Sequence, residues 1–503
     1  MTRRSRVHGV ERKLRIRAKA AYDALQPADI VFRHQWLFGQ QWVDESADEL
    51  ADEEFDYRKR DERIAKLRES ALREIWAQAG YDGIARLCGL SEAPWVIGAH
   101  LATGVFDEAG AEELIGKILV EGLATSLDRC LYGLLGRLNP DALHGILSRA
   151  VETHLKNRTS AAGIVRLMTC APFGSAAWRF VDLLPEGERQ LYWREILPSS
   201  FYGETDGDVN RAVDELLAVG RPRAAFHVVH MEFAKVASAK LVRLLFETAT
   251  NNSEPKGHYQ LSKHDISDAF KDLTKRPDVM PDELARLEFL YIDALDHTEH
   301  GIRNLEKQLG QSPELFVQAL ALAFRRSDGG EDPPHLRPDN ASGLATAAYR
   351  LLTHATRVPG TNDEGKIDVR KLGDWLTRVR ELTREHAREA VGESIIGRLL
   401  GRSPAGEDGI WPTEAVRDVF EDLGTPELAG GMRNGRYNAR DAGWHGEGGG
   451  EERTLAESYR TWSRQLANRY PFTSRMLNDM ARMYDHDASW HDTDSKVRRR
   501  LEI

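Results

Sequence analysis

Residues 216–226 of this chain, LLAVGRPRAAF, show how its structural elements are joined. An apolar run with helical spacing stops at Gly220, and Pro222 begins the next apolar run. Glycine commonly follows the last turn of a helix, and proline is favoured in the first turn, where its missing N–H has no intrahelical partner. The junction therefore predicts two antiparallel helices joined by a short turn.

The same arrangement recurs on both sides of this junction. From about residue 81 to residue 325, short segments of helical periodicity alternate with breakers such as Gly104, Pro140, Pro185 and Pro313. Sustained period-2 runs of β-branched residues are missing from the sequence, which disfavours a doubly wound nucleotide-binding fold. Consecutive helical hairpins bury their apolar faces by stacking on one another. The sequence therefore predicts an all-α, HEAT- or TPR-like helical-repeat solenoid with a C-terminal helical cap, and the divergent pairs fit HEAT-like units better than a strict 34-residue repeat.

Breakers and charge divide the chain into four predicted segments. These are a basic N-terminal helix with an acidic linker (1–60), the helical-repeat solenoid (61–325), a helical extension after a Gly/Pro-rich loop (326–410), and a C-terminal helical cap with a Gly/Arg-rich segment (411–503).

Composition limits the class of protein. The chain has 503 residues, 41% of them hydrophobic, and a net charge of −10, which argues weakly against a dedicated nucleic-acid binder. Cys88, Cys130 and Cys170 are widely spaced and form no CxxC motif, so we expect small core residues in a reducing compartment. The N-terminus has no secretory pattern, and no run of about 18 apolar residues occurs. We predict a cytoplasmic protein that does not contact membranes.

The segment 430–450, GGMRNGRYNARDAGWHGEGGG, is the exception in this helical pattern, since eight of its 21 residues are glycine. The simplest interpretation is a long irregular loop, because glycine is costly within a helix. A second is an anion- or partner-binding surface, in which arginine side chains meet phosphate or carboxylate. A third is an element that becomes ordered on partner binding. The candidate binding residues are Arg433, Arg436, Arg440 and Trp444.

Motifs for catalysis are weak. The nearest approach to a phosphate-binding GxxxxGK[ST] loop, residues 110–118, has one residue too many, lacks the hydroxyl and lies within a helical pattern. No GxSxG motif occurs. Asp487 and His491 are four residues apart and would share one helix face, where carboxylate and imidazole can bind a divalent ion; the alternative is a solvated terminal helix. We predict no catalytic residue, no cofactor and no metal site, with Asp487 and His491 as the ligands to test first.

Several stretches resemble the C-terminal part of large bacterial proteins of anti-phage defence systems. They are Gly409–Pro412, the segment 430–450, Gly449–Ala456 and Tyr484–Ala488, together with Tyr192–Trp193 and Leu216–Pro222. The resemblance extends over most of the chain from about Val31. In such proteins a helical-repeat region follows an N-terminal effector or NTPase module, and this sequence contains no recognisable module of that kind. The resemblance supplies no catalytic residue.

Repeat architecture and resemblance together predict a non-catalytic recognition or scaffold subunit of a bacterial anti-phage defence system. It would sense a phage product or hold an effector protein as partner. Two alternatives remain: a metal-dependent nuclease or hydrolase, and a nucleic-acid-binding scaffold that uses Arg433, Arg436 and Arg440 with the basic N-terminal helix.

Overall fold

The computed structural model describes Arg17, Ala21 and residues 25–43, 57–120, 125–157, 160–199, 205–251, 253–254, 259–336, 341–439 and 449–501. Throughout these ranges the chain is all-α, and its only β pairing is an isolated antiparallel bridge between Thr361 and Ile367. The all-α prediction is confirmed. The predicted basic N-terminal helix and the acidic run 44–56 lie outside the described residues, apart from Arg17, Ala21 and Leu25.

Residues 1–236 and 253–259 form the first of two compact units. Its helices are α1 (Ile30–His34), α2 (Tyr57–Leu90, with a kink at Gly80), α3 (Pro94–His100), α4 (Glu108–Val120), α5 (Thr125–Leu135), α6 (Pro140–Asn157), α7 (Ala161–Cys170), α8 (Ser175–Val181), α9 (Glu186–Glu195), α10 (Asp206–Ala218) and α11 (Pro222–Val229). Helix α3 contacts α5, α5 contacts α7 and α7 contacts α9, while α4 contacts α6 and α6 contacts α8. Alternate helices of this unit therefore pack on one another in two rows.

Residues 237–252 and 260–503 form the second unit. Its helices are α12 (Ser238–Thr250), α13 (Lys263–Thr274), α14 (Pro281–Leu290), α15 (Ile292–Leu295), α16 (Arg303–Gln311), α17 (Pro313–Ala323), α18 (Ala341–His354), α19 (Val369–Glu385), α20 (Glu389–Leu400), α21 (Glu414–Leu423), α22 (Pro426–Asn438), α23 (Gly450–Leu466) and α24 (Pro471–Leu501). Helices α17, α19 and α21 contact one another in succession, as do α18, α20, α22 and α24. The alternating contacts of the first unit thus recur here.

The junction between α10 and α11 has the predicted turn. Gly220 adopts φ 74°, its N–H donates to the Leu217 carbonyl at 2.9 Å, and the Arg221 N–H donates to the Leu216 carbonyl at 2.8 Å. These two bonds form a Schellman motif, in which a residue with positive φ turns the chain out of the helix. Helix α11 then begins at Pro222, as the sequence indicates.

Carboxylates from segments distant in sequence accept hydrogen bonds from the first backbone amides of two helices. Buried Glu254 accepts the Arg223 N–H at 2.7 Å at the start of α11. Buried Glu288 accepts the Leu305 N–H, also at 2.7 Å, in the first turn of α16. The first amides of a helix have no intrahelical acceptor, and the helix dipole favours a negative charge there. Tertiary contacts as well as local sequence therefore fix where these helices begin.

One sequence expectation near the C-terminus is wrong. Residues 430–438 were expected in an irregular loop, but they belong to α22, where glycines allow a neighbouring helix to approach closely. At the end of the predicted cap, residues 471–501 form one continuous helix, α24, since no glycine or proline after Pro471 breaks it. The division into four segments at 60, 325 and 410 stays a prediction. Among the described helices, none is long and apolar enough to cross a membrane.

Candidate recognition sites

Helices α20 and α22 cross at a pair of glycine motifs, Gly397–x–x–x–Gly401 and Gly431–x–x–x–Gly435. A Cβ atom on Gly397 would lie 2.9 Å from the Gly431 Cα atom, and one on Gly401 would lie 3.0 Å from the Gly435 Cα atom. Glycines four residues apart lie on one face of a helix, so the two faces meet backbone to backbone. This crossing fixes the position of the arginines on α22.

Arg436 is held by aromatic residues of the second unit. Its guanidinium group lies over the Trp411 ring, 5.2 Å from the centroid, and its Nε donates to the Tyr459 hydroxyl at 3.3 Å. Tyr459 in turn stacks on Tyr484, with ring centroids 5.5 Å apart and planes 12° apart. The cation–π contact and the hydrogen bond direct the Arg436 charge towards the protein's own side chains.

The other predicted binding residues are placed differently. Arg433 forms an ion pair with Asp479 over 3.4 Å, and about a third of its side chain is exposed (32%). Arg440 and Trp444 lie outside the described residues. Of the four predicted binding residues, the structure therefore places only Arg433 and Arg436. Both lie on α22, each with its own partner. A binding role for the set stays a prediction.

Sequence reasoning missed Arg398 and Arg402, one helical turn apart at the end of α20. The Arg398 Nε is buried and has no hydrogen-bond partner among the described residues. Burial lowers the pKa of Arg402, and the nearby charge of Arg398 lowers it further. The repeated G-x-x-x-G spacing in both helices was the signal that could have brought these arginines into consideration.

The metal candidates Asp487 and His491 both lie on α24. The His491 Nε2 is 4.0 Å from the Oε1 of Glu452, and neighbouring Asp492 pairs with Arg453 and accepts the Gly449 N–H at 2.9 Å. In the part of the chain that the structure describes, no three His, Cys, Asp or Glu side chains are grouped to hold a metal ion.

The first unit contains a cleft that was not predicted. It has a volume of about 620 Å³ and lies between residues 41–43, α2, α3 and α5. Its charged lining residues are Arg60, Asp61, Arg68 and Arg137, joined by the imidazole of His100 and the aromatic rings of Trp42, Trp95 and Tyr132. We call this the basic cleft.

A close helix crossing shapes one wall of the basic cleft. Helices α3 and α5 meet at Gly98 and Gly133, where a Cβ atom on Gly98 would lie 2.6 Å from the Leu134 amide nitrogen and one on Gly133 would lie 2.8 Å from the Trp95 Cα atom. Trp95 on α3 and Tyr132 on α5 both line the cleft. The glycines thus bring the two aromatic residues into the same wall.

Arg68 fixes another wall of the basic cleft. Although it is charged, it is buried, and its Nε donates to the Leu37 carbonyl at 2.8 Å and its Nη2 to the Gln41 carbonyl at 2.9 Å. A buried guanidinium group needs such acceptors because it has lost its water. Arg68 thereby holds the turn before Trp42 against α2.

His100 lines the basic cleft, and one nitrogen of its imidazole ring forms no hydrogen bond with the described residues. Its Nδ1 is buried and has no hydrogen-bond partner among the described residues. Burial lowers the pKa of His100 to about 4, and the positive charges of Arg68 and Arg137 contribute to the same effect. The imidazole is therefore neutral at pH 7 and can donate or accept one further hydrogen bond.

The residues of the basic cleft come from five separate stretches of sequence, including the single residue Pro172, so no local motif predicts them. Comparison with known proteins adds no assignment: no family model matches this chain, and no curated protein matches it significantly.

Proposed function

We propose that the chain is a non-catalytic recognition or scaffold subunit that holds a partner protein. The observation that carries this proposal is the packing of alternate helices in two rows, α3–α5–α7–α9 beside α4–α6–α8, with similar rows in the second unit. HEAT- and TPR-like solenoids stack in this way and present extended surfaces for protein binding. A solenoid arrangement is therefore our interpretation of these rows.

The biological setting that we propose is bacterial anti-phage defence, with a phage product or an effector subunit as partner. This part of the proposal depends on the sequence resemblance of the segments around Trp411, 430–450 and Tyr484. Fold-level and pattern-level likeness supports a function without establishing the site, so the proposal needs a surface that can be tested.

Exposed aromatic side chains near α1 supply that surface. Phe32 is 50% exposed and Trp36 is 49% exposed, while the residues on either side of this stretch, Val31 and Leu37, are buried. Large aromatic residues are enriched at protein interfaces, where they contribute much of the binding energy. Because α1 and the following turn are held to the core, these two rings are fixed in position for a partner.

The test compares partner capture by matched variants of the full chain. Tagged chain is recovered from infected and uninfected cells, and protection is measured by plaque counts. We expect the wild-type chain to retain one partner and to protect, and the double variant Phe32→Ser/Trp36→Ser to lose both. The control Leu183→Ser/Met231→Ser changes two residues of the same unit that are also exposed, at 59% and 57%, and should behave like wild type.

Two results would contradict the proposed function. One is protection by a chain that captures no phage or effector protein under any condition. The other is partner capture that is equal for the wild type, the aromatic double variant and a chain unfolded before mixing, since such binding would be nonspecific.

A further inference from the structure

We infer that the basic cleft binds a nucleotide, with the base against its aromatic rings and the phosphate beside Arg137 and His100. The inference is independent of the proposed scaffold function, because it depends on a cavity inside the first unit and not on the rows of helices. Its volume of about 620 Å³ lies within the range of roughly 300–1,000 Å³ found for small-molecule sites.

The charges of the basic cleft favour an anion. Three guanidinium groups and one carboxylate line it, although the whole chain is acidic, with a net charge of −10. Arg68 is committed to backbone carbonyls, whereas the exposed guanidinium of Arg137 has no hydrogen bond or ion pair among the described residues. Arginine is well suited to bind phosphate, since it can donate two parallel hydrogen bonds.

His100 provides a hydrogen-bonding group at the same place. A buried polar atom without a partner is costly, and a ligand atom that bonds to it removes that cost. The Nδ1 of His100 is such an atom, and because it is closed to solvent, a ligand in the cleft reaches it by a turn of the imidazole ring. Since the imidazole is neutral at pH 7, it can donate to a phosphate oxygen without adding a further positive charge to the cleft.

The aromatic rings distinguish a nucleotide from a simple anion. The side chains of Trp42 and Tyr132 are 67% and 56% exposed, and both line the basic cleft. One face of the Trp95 ring is already occupied by the guanidinium of Arg129, 4.6 Å from the ring centroid, so Trp42 and Tyr132 are the rings available to a base. Bases of every type stack favourably on aromatic side chains. A ligand with a flat base and a phosphate therefore uses both features of the cleft.

Isothermal titration of the full chain tests the inference with AMP, GMP and UMP, and with adenosine and inorganic phosphate as partial ligands. We expect at least one nucleotide to bind with an affinity at least about tenfold higher than that of adenosine or phosphate, because both contacts are then made. Arg137→Gln and Trp42→Ala should each weaken nucleotide binding by about tenfold. Both residues are exposed, so the unfolding midpoint should not change.

Arg194→Gln is the matched control, since Arg194 is an exposed arginine of the same unit outside the cleft lining. It should bind nucleotide like the wild type. The inference is overturned if no nucleotide binds saturably at millimolar concentration, or if phosphate alone binds as tightly as the nucleotides. It is equally overturned if Arg137→Gln and Trp42→Ala bind normally, or if a polyglutamate peptide binds in the cleft and the nucleotides do not.

Discussion

Gly397 of α20 and Gly431 of α22 face each other so closely that a Cβ atom on Gly397 would lie 2.9 Å from the Gly431 Cα atom. Real Cβ atoms do not approach backbone atoms to this distance, so any larger residue must separate the helices. The next pair, Gly401 and Gly435, repeats the contact one turn later. These glycines set how near α22, with Arg433 and Arg436, lies to α20.

Replacement of Gly397 by alanine should destabilise the second unit. The gain in helix propensity is about 1 kcal/mol, but overpacking against backbone costs about 1–3 kcal/mol and cannot be relieved by rotating a side chain. We expect a net fall in the free energy of unfolding, measured by urea denaturation. Gly373 in α19 is the matched control, because a Cβ atom there would meet nothing within 4 Å. Gly373→Ala should be neutral or stabilising, and equal effects at both positions would contradict the packing argument.

Arg436 and Arg433 should differ in their effect on stability. Arg436 lies over the Trp411 ring and bonds to Tyr459, so Arg436→Ala should lower the free energy of unfolding by about 1–2 kcal/mol through lost cation–π and packing contacts. Arg433 makes one long, partly exposed ion pair, so Arg433→Ala should change the free energy of unfolding by less than about 0.5 kcal/mol. Thermal denaturation of the two variants side by side measures this. A destabilising Arg433→Ala with a neutral Arg436→Ala would reverse the assignment.

Features of the fold that depend on interactions between residues close in sequence were predictable, and features that depend on contacts between distant residues were not. The turn at Gly220–Pro222 was predictable because its cause, positive φ followed by a proline start, lies within a few residues. Residues 430–438 were mispredicted because the low helix propensity of glycine is outweighed by contacts with α20, 34 residues or so away in sequence. The basic cleft could not be predicted at all, because His100 and Arg137 meet only after α3 and α5 have packed together.

A buried ion pair in the second unit should be essential for its stability. The side chains of Arg388 and Asp332 are almost wholly buried, and two guanidinium nitrogens of Arg388 each donate to a different Asp332 oxygen at 2.7 Å. Removing one partner leaves a buried charge unpaired, so Asp332→Ala should cost about 3–5 kcal/mol. Arg384 and Glu389 form an exposed control pair, and Glu389→Ala should cost under about 1 kcal/mol. Urea unfolding midpoints that are equal for the two variants would contradict this expectation.

The three thiols should be unreactive in the folded protein. Cys88, Cys130 and Cys170 are buried, and burial raises the pKa of Cys170 to about 12. The thiolate is the reactive form, so a raised pKa and loss of access both slow modification. We expect Ellman's reagent to label no thiol in native protein at pH 8 and all three in urea. Rapid labelling of one thiol without urea would show that the core of the first unit opens readily.

His100 should make folding stability depend on pH. Its pKa in the folded protein is about 4, whereas its ordinary value is 6.5. Between these values the unfolded chain takes up a proton that the folded protein does not, so stability rises with pH across this window and is lost as pH falls from 6.5 towards 4. The charged side chains that line the same cleft as His100 are Arg60, Asp61, Arg68 and Arg137.

The free energy of unfolding of the wild type and His100→Gln should therefore be measured from pH 4.5 to pH 7.5. Because carboxylates titrate in both proteins, the informative quantity is the difference between the two curves. We expect His100→Gln to lose less stability than the wild type between pH 6.5 and pH 4.5, and the two curves to run parallel above pH 7. Parallel curves over the whole range would mean that His100 is protonated as easily in the folded protein as in the unfolded chain.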